Sequence, residues 1–285
     1  MPAEPSIEVP ARLSDAYALL AAGPLVPIAG GTDIMVRISG EIGPVPERMI
    51  DLSRLQELEG ISLDEGSLVL GARTTYTEIR RSALCREHAP ALVAAAATIG
   101  AAQIQNRGTL GGNIATASPA GDTLPVLLAM DAAIELGSHR GERLVPAAEF
   151  FPAYRQTALA PDELILRVRI PLRGGRETRF RKVGTRRAQA ISKVVMAVSW
   201  RSHGPSAGWS DVRVALGSVA ATPIRVAATE AALEGARPSP ETADAAAEAL
   251  AAELEPIDDV RSTAGYRRMV AARILHRIVR DAGGW

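Results

Sequence analysis

A glycine-rich stretch at residues 101–122 carries the residue types best suited to holding a polar ligand. At Gly111-Gly112 the main chain can approach another object closely and adopt φ > 0 without a Cβ clash. Successive N–H groups in such an irregular loop can converge on an anion. Four short polar side chains have donors that could reach phosphate oxygens: Thr109, Asn113, Thr116 and Ser118. Asp122 adds a carboxylate that can accept from sugar hydroxyls, so a pyrophosphate with a ribose or ribityl chain would fit this set.

Another glycine pair, Gly30-Gly31, lies about eighty residues before Gly111-Gly112. In chain order, residues 29–34 are the first loop and residues 101–122 are the second stretch. A predicted buried strand at 25–29 precedes it, and the apolar run 34–38, which could open a helix, follows it. A strand, a glycine turn and a helix N-terminus together form an anion site through exposed N–H groups and the helix dipole.

Both glycine pairs also fit a simpler interpretation. Gly111-Gly112 can form a tight turn, and Thr32 can cap the helix after Gly30-Gly31, with no ligand in either place. Because glycine-rich loops alone are weak evidence for ligand binding, each loop taken singly leaves both interpretations open.

Composition and charge narrow the class of protein. The chain has 285 residues, which is long enough for two domains because a domain usually has roughly 100–200 residues. Hydrophobic residues make up 47% of the chain. Lysine plus arginine number 32, as do aspartate plus glutamate, so no net charge favours nucleic acid or an anionic membrane. The single cysteine, Cys85, rules out internal disulfides and any iron–sulfur cluster or zinc site built from this chain's own thiolates. We expect Cys85 to be a small buried residue.

The sequence contains no recognisable targeting or membrane segment. The N-terminus carries Glu4 and Glu8 among prolines, unlike a signal peptide. No run approaches the ~20 apolar residues of a membrane helix. We therefore expect a cytoplasmic protein with no membrane insertion and no nucleic-acid partner.

Short helices and strands are predicted around the two loops. Ser14 is expected to cap a helix over 15–22. Residues 49–52, 60–63 and 67–71 are expected to be strands of one small sheet, covered by an alanine-rich helix over 88–98. A helix over 123–130 and strands over 132–136, 143–146 and 163–170 complete this half, with Phe150-Phe151 at a core edge.

The turn-rich tract at 171–176 is the predicted domain boundary. Beyond it, residues 178–183, 191–200 and 210–217 are expected to form a three-stranded antiparallel sheet, with helices over 226–233, 240–254 and 263–280 on one face. Four residues at helical spacing in the last helix are predicted to be core: Met269, Val270, Ile274 and Ile278.

Basic residues in this second half have two interpretations. The pairs Arg181-Lys182 and Arg186-Arg187 are interpreted as solvated edge charges, because no aromatic stacking residues accompany them. Lys193 lies in an apolar strand, where it is either a functional cation or an outward residue of a half-exposed strand.

Three segments taken together resemble a known family. They are residues 27–34 (PIAGGTDI), residues 106–122 (NRGTLGGNIATASPAGD) and residues 186–193 (RRAQAISK). This pattern is similar to the FAD-binding medium subunit of molybdenum hydroxylases, the group that includes subunits of carbon monoxide dehydrogenase, xanthine dehydrogenase and 4-hydroxybenzoyl-CoA reductase. The resemblance covers essentially the whole chain.

The resemblance implies an α+β fold and a set of FAD contacts. A vanillyl-alcohol-oxidase-type FAD-binding portion of two α/β subdomains, about 1–55 and 56–175, would precede a C-terminal domain at 176–285. In such subunits the first loop wraps the diphosphate with main-chain N–H groups, the second adds phosphate and ribityl contacts, an acidic residue binds the adenosine ribose, and a lysine lies close to the flavin. The matching positions here are Pro27, Ile28, Ala29, Gly30, Gly31, Thr32, Asp33, Ile34, Thr109, Gly111, Gly112, Asn113, Thr116, Ser118, Asp122 and Lys193.

The resemblance also implies a role in a larger complex. Such a subunit takes electrons from a [2Fe–2S] cluster in a partner small subunit, after substrate is oxidised at a molybdopterin in a partner large subunit, and passes them from FAD to NAD, oxygen, a quinone or another carrier. A dimer of heterotrimers is expected. No residue is a convincing catalytic acid or base, none is required for an electron relay, and no metal site is expected in this chain.

Two departures from the family patterns limit the substrate. One cysteine cannot provide the extra cluster found in this subunit of 4-hydroxybenzoyl-CoA reductases. Carbon monoxide dehydrogenases usually have Gly-Gly-His-Ser in the first loop, whereas Gly31-Thr32-Asp33 is present here, which favours an aromatic or N-heterocyclic substrate. Two alternative functions are a self-sufficient FAD oxidoreductase of the same superfamily and a flavin-free assembly scaffold.

Overall fold

A small parallel sheet begins the chain. The computed structural model describes residues 5–40, 44–186, 189–202, 204 and 207–285. Its first elements are β1 (Ser6–Glu8), α1 (Leu13–Ala22), β2 (Val26–Ile28), α2 (Ile34–Ser39) and β3 (Arg48–Asp51). The strands are parallel in the order β1-β3-β2. Buried residues of α1 and β3 pack with leucines of the following segment, which closes a small core on one side of the sheet.

A five-stranded antiparallel sheet and six short helices follow. The elements are β4 (Ile61–Asp64), β5 (Ser67–Gly71), α3 (Tyr76–Arg81), α4 (Ala83–His88), α5 (Pro90–Ala96), α6 (Ala102–Gln105), α7 (Leu110–Thr116), α8 (Leu124–Ala129), β6 (Ala133–Ser138), β7 (Gly141–Pro146) and β8 (Leu164–Pro171). The strand order is β4-β5-β8-β6-β7, and each pair is antiparallel. The helices share one apolar core with this sheet, and Phe150, Phe151 and Cys85 lie in it as predicted.

Proline divides the predicted alanine-rich helix at 88–98. Helix α4 ends at His88 and α5 begins at Pro90, with Ala89 between them at φ −140° and ψ 54°. The residue before a proline is sterically disfavoured from the α region, so a new helix starts at the proline.

The C-terminal part places a second antiparallel sheet between helices and the rest of the chain. It contains β9 (Arg176–Gly184), β10 (Ser192–Arg201), β11 (Ser210–Gly217), β12 (Ile224–Arg225), α9 (Ala227–Leu233), α10 (Pro240–Glu253) and α11 (Ala264–Gly283). The sheet order is β12-β11-β10-β9, so the prediction of three strands missed β12, which has two residues and no readable alternation.

Successive residues of β10 bury opposite faces of this sheet, as the period of two requires. Val194 and Met196 pack in the core formed with α10 and α11. Val195 and Ala197 pack in the core of the preceding region, which includes α8. The three predicted helices therefore cover one face, and α8 lies against the other.

Other local predictions are wrong. Residues 49–52 do not share a sheet with 60–63 and 67–71, because β3 pairs in the parallel sheet. Ser14 lies inside α1, whose N-cap is Arg12 without a side-chain cap bond. Val26 and Pro27 are exposed rather than buried. Met269 is 40% exposed, although Ile278 is core.

The described ranges contain no helix long and apolar enough to cross a membrane.

Candidate functional site

Half of the glycine-rich stretch at 101–122 is helical, so the prediction that the whole stretch is an irregular loop is wrong. It contains α6 and α7, and Gly111 and Gly112 lie in the first turn of α7. Thr109 is the N-cap of this helix, and its Oγ1 accepts from the Gly112 N–H at 3.1 Å. Neither glycine has a positive φ.

Space, rather than backbone freedom, requires the glycine at 111. A Cβ there would lie 2.7 Å from the Ala72 carbonyl oxygen. That oxygen accepts the Gly111 N–H at 2.8 Å, which fixes the start of α7 beside β5. The N–H groups of Gly111 and Gly112 thus bond to acceptors within the protein. They are not available to an anion, as the sequence prediction required.

The first glycine loop lies directly against the second stretch. A Cβ on Gly30 would be 1.8 Å from the Arg107 carbonyl oxygen and 3.1 Å from Gly108 Cα. A side-chain bond also joins the two segments, since Thr116 Oγ1 donates to Asp33 Oδ2 at 2.7 Å. The fold therefore brings together two loops that are far apart in sequence.

The first loop presents a row of unused donors. Among the described residues, no hydrogen bond uses the main-chain N–H of Gly30, Gly31, Thr32, Asp33 or Ile34. Gly31 adopts φ +72°, where glycine is favoured, and residues 30–32 are only partly buried. Consecutive free N–H groups next to a left-handed residue form a concave anion-binding surface. Thr32 does not cap α2, because the N-cap is Asp33 and makes no side-chain cap bond.

The short polar side chains of the second stretch line the same region. Asn113 Oδ1 accepts from Thr123 Oγ1 at 2.5 Å. This bond orients the Asn113 amide and does not use the N–H donors of the amide group. Ser118 Oγ accepts from the Ala120 N–H at 3.3 Å. The Gly112 carbonyl oxygen lies 2.9 Å from Thr116 Oγ1 and is a second acceptor for the one proton of that hydroxyl. These bonds hold the side chains in place at the exit of α7.

Asp122 is a buried carboxylate that bonds through only one of its oxygens. It is 6% exposed, and its Oδ2 accepts from Lys182 Nζ at 2.5 Å and from Thr98 Oγ1 at 3.3 Å. Its Oδ1 is buried without a hydrogen-bond partner. Burial raises the pKa of Asp122, and the Lys182 ammonium and the Thr98 and Ser192 hydroxyls act to lower it.

Lys182 contacts the candidate site through Asp122, and the sequence prediction missed it. The interpretation of Arg181-Lys182 as solvated charges is wrong for Lys182, whose side chain is 9% exposed, whereas that of Arg181 is 50% exposed. Adjacent strand residues face opposite sides of a sheet. Because Phe180 is core, the period of two would have placed Lys182 on the same inner face.

The Lys193 side chain contacts the C-terminal helix α11. Its Nζ is 5.1 Å from the centroid of the Tyr266 ring on α11, a cation–π distance. Its carbonyl accepts from Arg267 Nη1 at 3.1 Å. The predicted contact of Lys193 with a flavin stays a prediction, and Arg187 and Ala188 of the third segment lie outside the described residues.

A network of ion pairs holds the far end of α8 to the C-terminal sheet. Arg176 Nη2 lies 2.7 Å from Asp211 Oδ2 and 3.3 Å from Asp131 Oδ2, and its side chain is 4% exposed. Arg213 and Arg225 also reach Asp131, at 3.2 and 3.3 Å. Since Asp122 precedes α8 and Asp131 follows it, ion pairs join both ends of this buried helix to the C-terminal sheet.

Comparison with known proteins identifies the family. A family model described as the FAD binding domain in molybdopterin dehydrogenase matches residues 4–173, and one described as the CO dehydrogenase flavoprotein C-terminal domain matches residues 179–282. The chain therefore belongs to the family of FAD-binding subunits of molybdopterin-dependent dehydrogenases, as the three segments predicted.

Individual relatives align along nearly the whole chain. The xanthine dehydrogenase FAD-binding subunit of Escherichia coli O157:H7 is 31% identical over 96% of this chain and 96% of that subunit. The nicotinate dehydrogenase FAD-subunit of Eubacterium barkeri is 32% identical over 95% and 94% of the two chains. A solved structure of carbon monoxide dehydrogenase from Hydrogenophaga pseudoflava superimposes with a TM-score of 0.91, at 31% identity over 97% of this chain and 96% of that one.

Proposed function

We propose that this chain is the FAD-containing electron-transfer subunit of a heteromeric molybdenum hydroxylase. The observation that carries the proposal is the row of unused N–H groups at 30–34, packed against the second stretch at Arg107 and Gly108. A diphosphate needs such a concentration of donors, and the unpartnered Oδ1 of Asp122 suits a ribose hydroxyl. The family membership supports FAD as the ligand that carries both groups.

Each part of the site would bind a different part of FAD. Main-chain N–H groups of residues 29–34 would hold the diphosphate, and side chains around Thr109, Asn113, Thr116 and Ser118 would add phosphate and ribityl contacts. Asp122 would bind the adenosine ribose. When bound, FAD would supply redox chemistry in one- or two-electron steps, while the protein positions it and needs no acid or base of its own. The FAD-binding portion would comprise residues 1–175 and the C-terminal domain residues 176–285.

The electron donors would be in partner subunits. A single cysteine, which is buried, cannot ligate an iron–sulfur cluster within this chain. We propose a [2Fe–2S] small subunit and a molybdopterin large subunit, in a cytoplasmic dimer of heterotrimers. Relatives are named for xanthine and for nicotinate, and the first-loop sequence favours a substrate of that aromatic or N-heterocyclic kind.

A visible absorption spectrum of the purified chain tests the proposal directly. We expect a yellow protein that releases FAD on denaturation and that co-purifies with molybdopterin and iron–sulfur subunits from its native source. A chain that is colourless in every preparation and binds no added FAD would refute the proposal and favour the scaffold. If a small substrate reduced the flavin of the isolated chain with no partner present, the self-sufficient oxidoreductase would replace it.

A further inference from the structure

We propose that the groove between helices α3, α5 and α6 is the docking surface for an acidic segment of the [2Fe–2S] subunit. The inference rests on the proposed function, because it assigns one of the partner subunits proposed there to a particular surface of this chain. That surface lies outside the loops that would bind FAD.

The groove is an open cleft of about 620 Å³ with an apolar floor. Side chains of α5 and of the start of α6 form the floor: Pro90, Val93, Ala94, Ala97 and Ala102. All of them except Val93 are exposed to solvent. Exposed apolar surface with a polar rim is typical of a protein–protein interaction site, so the shape of the groove favours a polypeptide as its occupant.

The rim of the groove is positively charged. Arg80 and Arg81 lie in the last turn of α3, and none of the described residues that line the groove is acidic. Arg80 Nη1 donates to Gln105 Oε1, which joins α3 to α6. The Arg81 guanidinium has no hydrogen bond or ion pair with any described residue. Arg86 adds a third cation beside them, since its Nη1 donates to the carbonyl oxygens of Arg80 and Arg81 at 3.3 and 3.0 Å.

Acidic residues of the neighbouring helices do not neutralise this rim. Glu78 Oε2 accepts from the N–H and the Oγ1 of Thr75 at 2.7 Å each, at the opposite end of α3 from the arginines. Glu87 of α4 lies 3.7 Å from His88 Nε2, and its side chain is 71% exposed. Charge complementarity therefore favours a segment that brings carboxylates to the rim and apolar side chains to the floor.

The position of the groove selects the partner. Thr77 Oγ1 donates to Asn106 Oδ1 at 2.6 Å, and both residues line the groove. Two residues further along the chain, Gly108 packs against the first loop, where its Cβ would lie 3.3 Å from Thr32 Oγ1. The groove and the proposed diphosphate site thus share one short segment of chain. The [2Fe–2S] subunit is the proposed electron donor to FAD, so it is the partner that must contact this chain near the FAD site.

Cross-linking in the assembled complex identifies the occupant. Ala94→Cys places a thiol on the exposed floor, and the only other cysteine, Cys85, is buried, so a thiol-anchored photo-cross-linker labels position 94 selectively. In the complex co-expressed with its partner subunits, we expect cross-links to a peptide of the [2Fe–2S] subunit that contains Asp or Glu. Cross-links only to the molybdopterin subunit, only to a second copy of this chain, or to nothing would overturn the inference.

Two substitutions at one position separate charge from bulk. Ala94→Glu and Ala94→Lys both add a long helix-forming side chain at an exposed position, so both variants should fold and keep their FAD content. We expect Ala94→Glu to raise the Kd for the [2Fe–2S] subunit roughly 10- to 100-fold, measured by dilution of the complex, and Ala94→Lys to raise it less. Arg81→Glu should weaken binding as Ala94→Glu does. Arg237→Glu, at an exposed arginine of the C-terminal part, should leave the Kd unchanged.

Equal effects of Ala94→Glu and Ala94→Lys would overturn the inference, as would a Kd for Arg81→Glu within about threefold of wild type. The FAD content of each chain is measured in the same preparations. A wild-type chain without FAD would refute the proposed function, whereas the cross-links and the dissociation constants report on the groove separately.

Discussion

Replacing Gly30 by alanine tests whether contact between the two loops builds the site. The added Cβ would lie 1.8 Å from the Arg107 carbonyl oxygen and 2.6 Å from its carbon. Non-bonded heavy atoms need more than 3 Å, so the loops must move apart by roughly 1 Å or more. Both neighbours are main-chain atoms, so no side-chain rotation can relieve the clash.

The clash in Gly30→Ala can lower either the stability of the chain or its affinity for FAD, and both can be measured. Overpacking of this kind costs about 1–3 kcal/mol. If the loops stay together, the chain loses that much stability, and Tm falls by about 2–4 °C per kcal/mol. If they separate, bound FAD must restore the contact, and affinity falls by roughly 5- to 150-fold, at about 1.4 kcal/mol per factor of ten.

Gly174→Ala is the matched control, because a Cβ at that position meets nothing within 4 Å. Both variants would be compared with wild type by calorimetry and by fluorescence titration with FAD. We expect Gly174→Ala to match wild type in Tm and in FAD affinity. If Gly30→Ala behaved in the same way in both assays, the contact between the loops would not be a structural requirement of the site.

Three further predictions concern the elements that support the site. Thr109→Val removes the cap of α7 and should cost about 1 kcal/mol, seen as a lower urea midpoint that Thr109→Ser does not show. Arg176→Met removes ion pairs with two aspartates and should cost about 1–3 kcal/mol in urea unfolding; an unchanged midpoint would mean that the remaining arginines suffice. Glu163 has a pKa lowered by its hydrogen bonds with Arg143, so its contribution is present above the unfolded pKa of about 4.3 and is lost as pH falls through the folded pKa. The stability difference between wild type and Glu163→Gln should therefore shrink between pH 7 and pH 3, and a constant difference would contradict this assignment.

Local patterns predicted the secondary structure best where the periodicity was long. The three C-terminal helices and the three long strands before them match the structure closely, because amphipathic spacing and alternation over many residues average out single exceptions. The errors fall on short features. The strand β12 has two residues. Ser14 was the predicted N-cap of α1, but the N-cap is Arg12 and Ser14 lies inside the helix.

For the site, sequence patterns indicated which residues carry suitable chemistry but not how they are used. Gly111-Gly112 was expected to be irregular backbone with free N–H groups, yet it opens α7 and donates within the protein. The free donors are in the first loop instead. A glycine in a sequence does not distinguish φ > 0 from close packing, because both need the absence of a Cβ.

The sequence by itself determined the neutral charge, the lack of thiolates for a cluster, and the three segments that identify the family, since these depend only on residue types and their order. Tertiary structure alone decided that Gly30 touches Arg107 and that Lys182 reaches Asp122, residues 60 positions apart. Such contacts depend on how α8 and β9 pack, and packing is a property of the whole core rather than of any local pattern. The site is thus encoded locally in two loops and assembled by the sheets that bring them together.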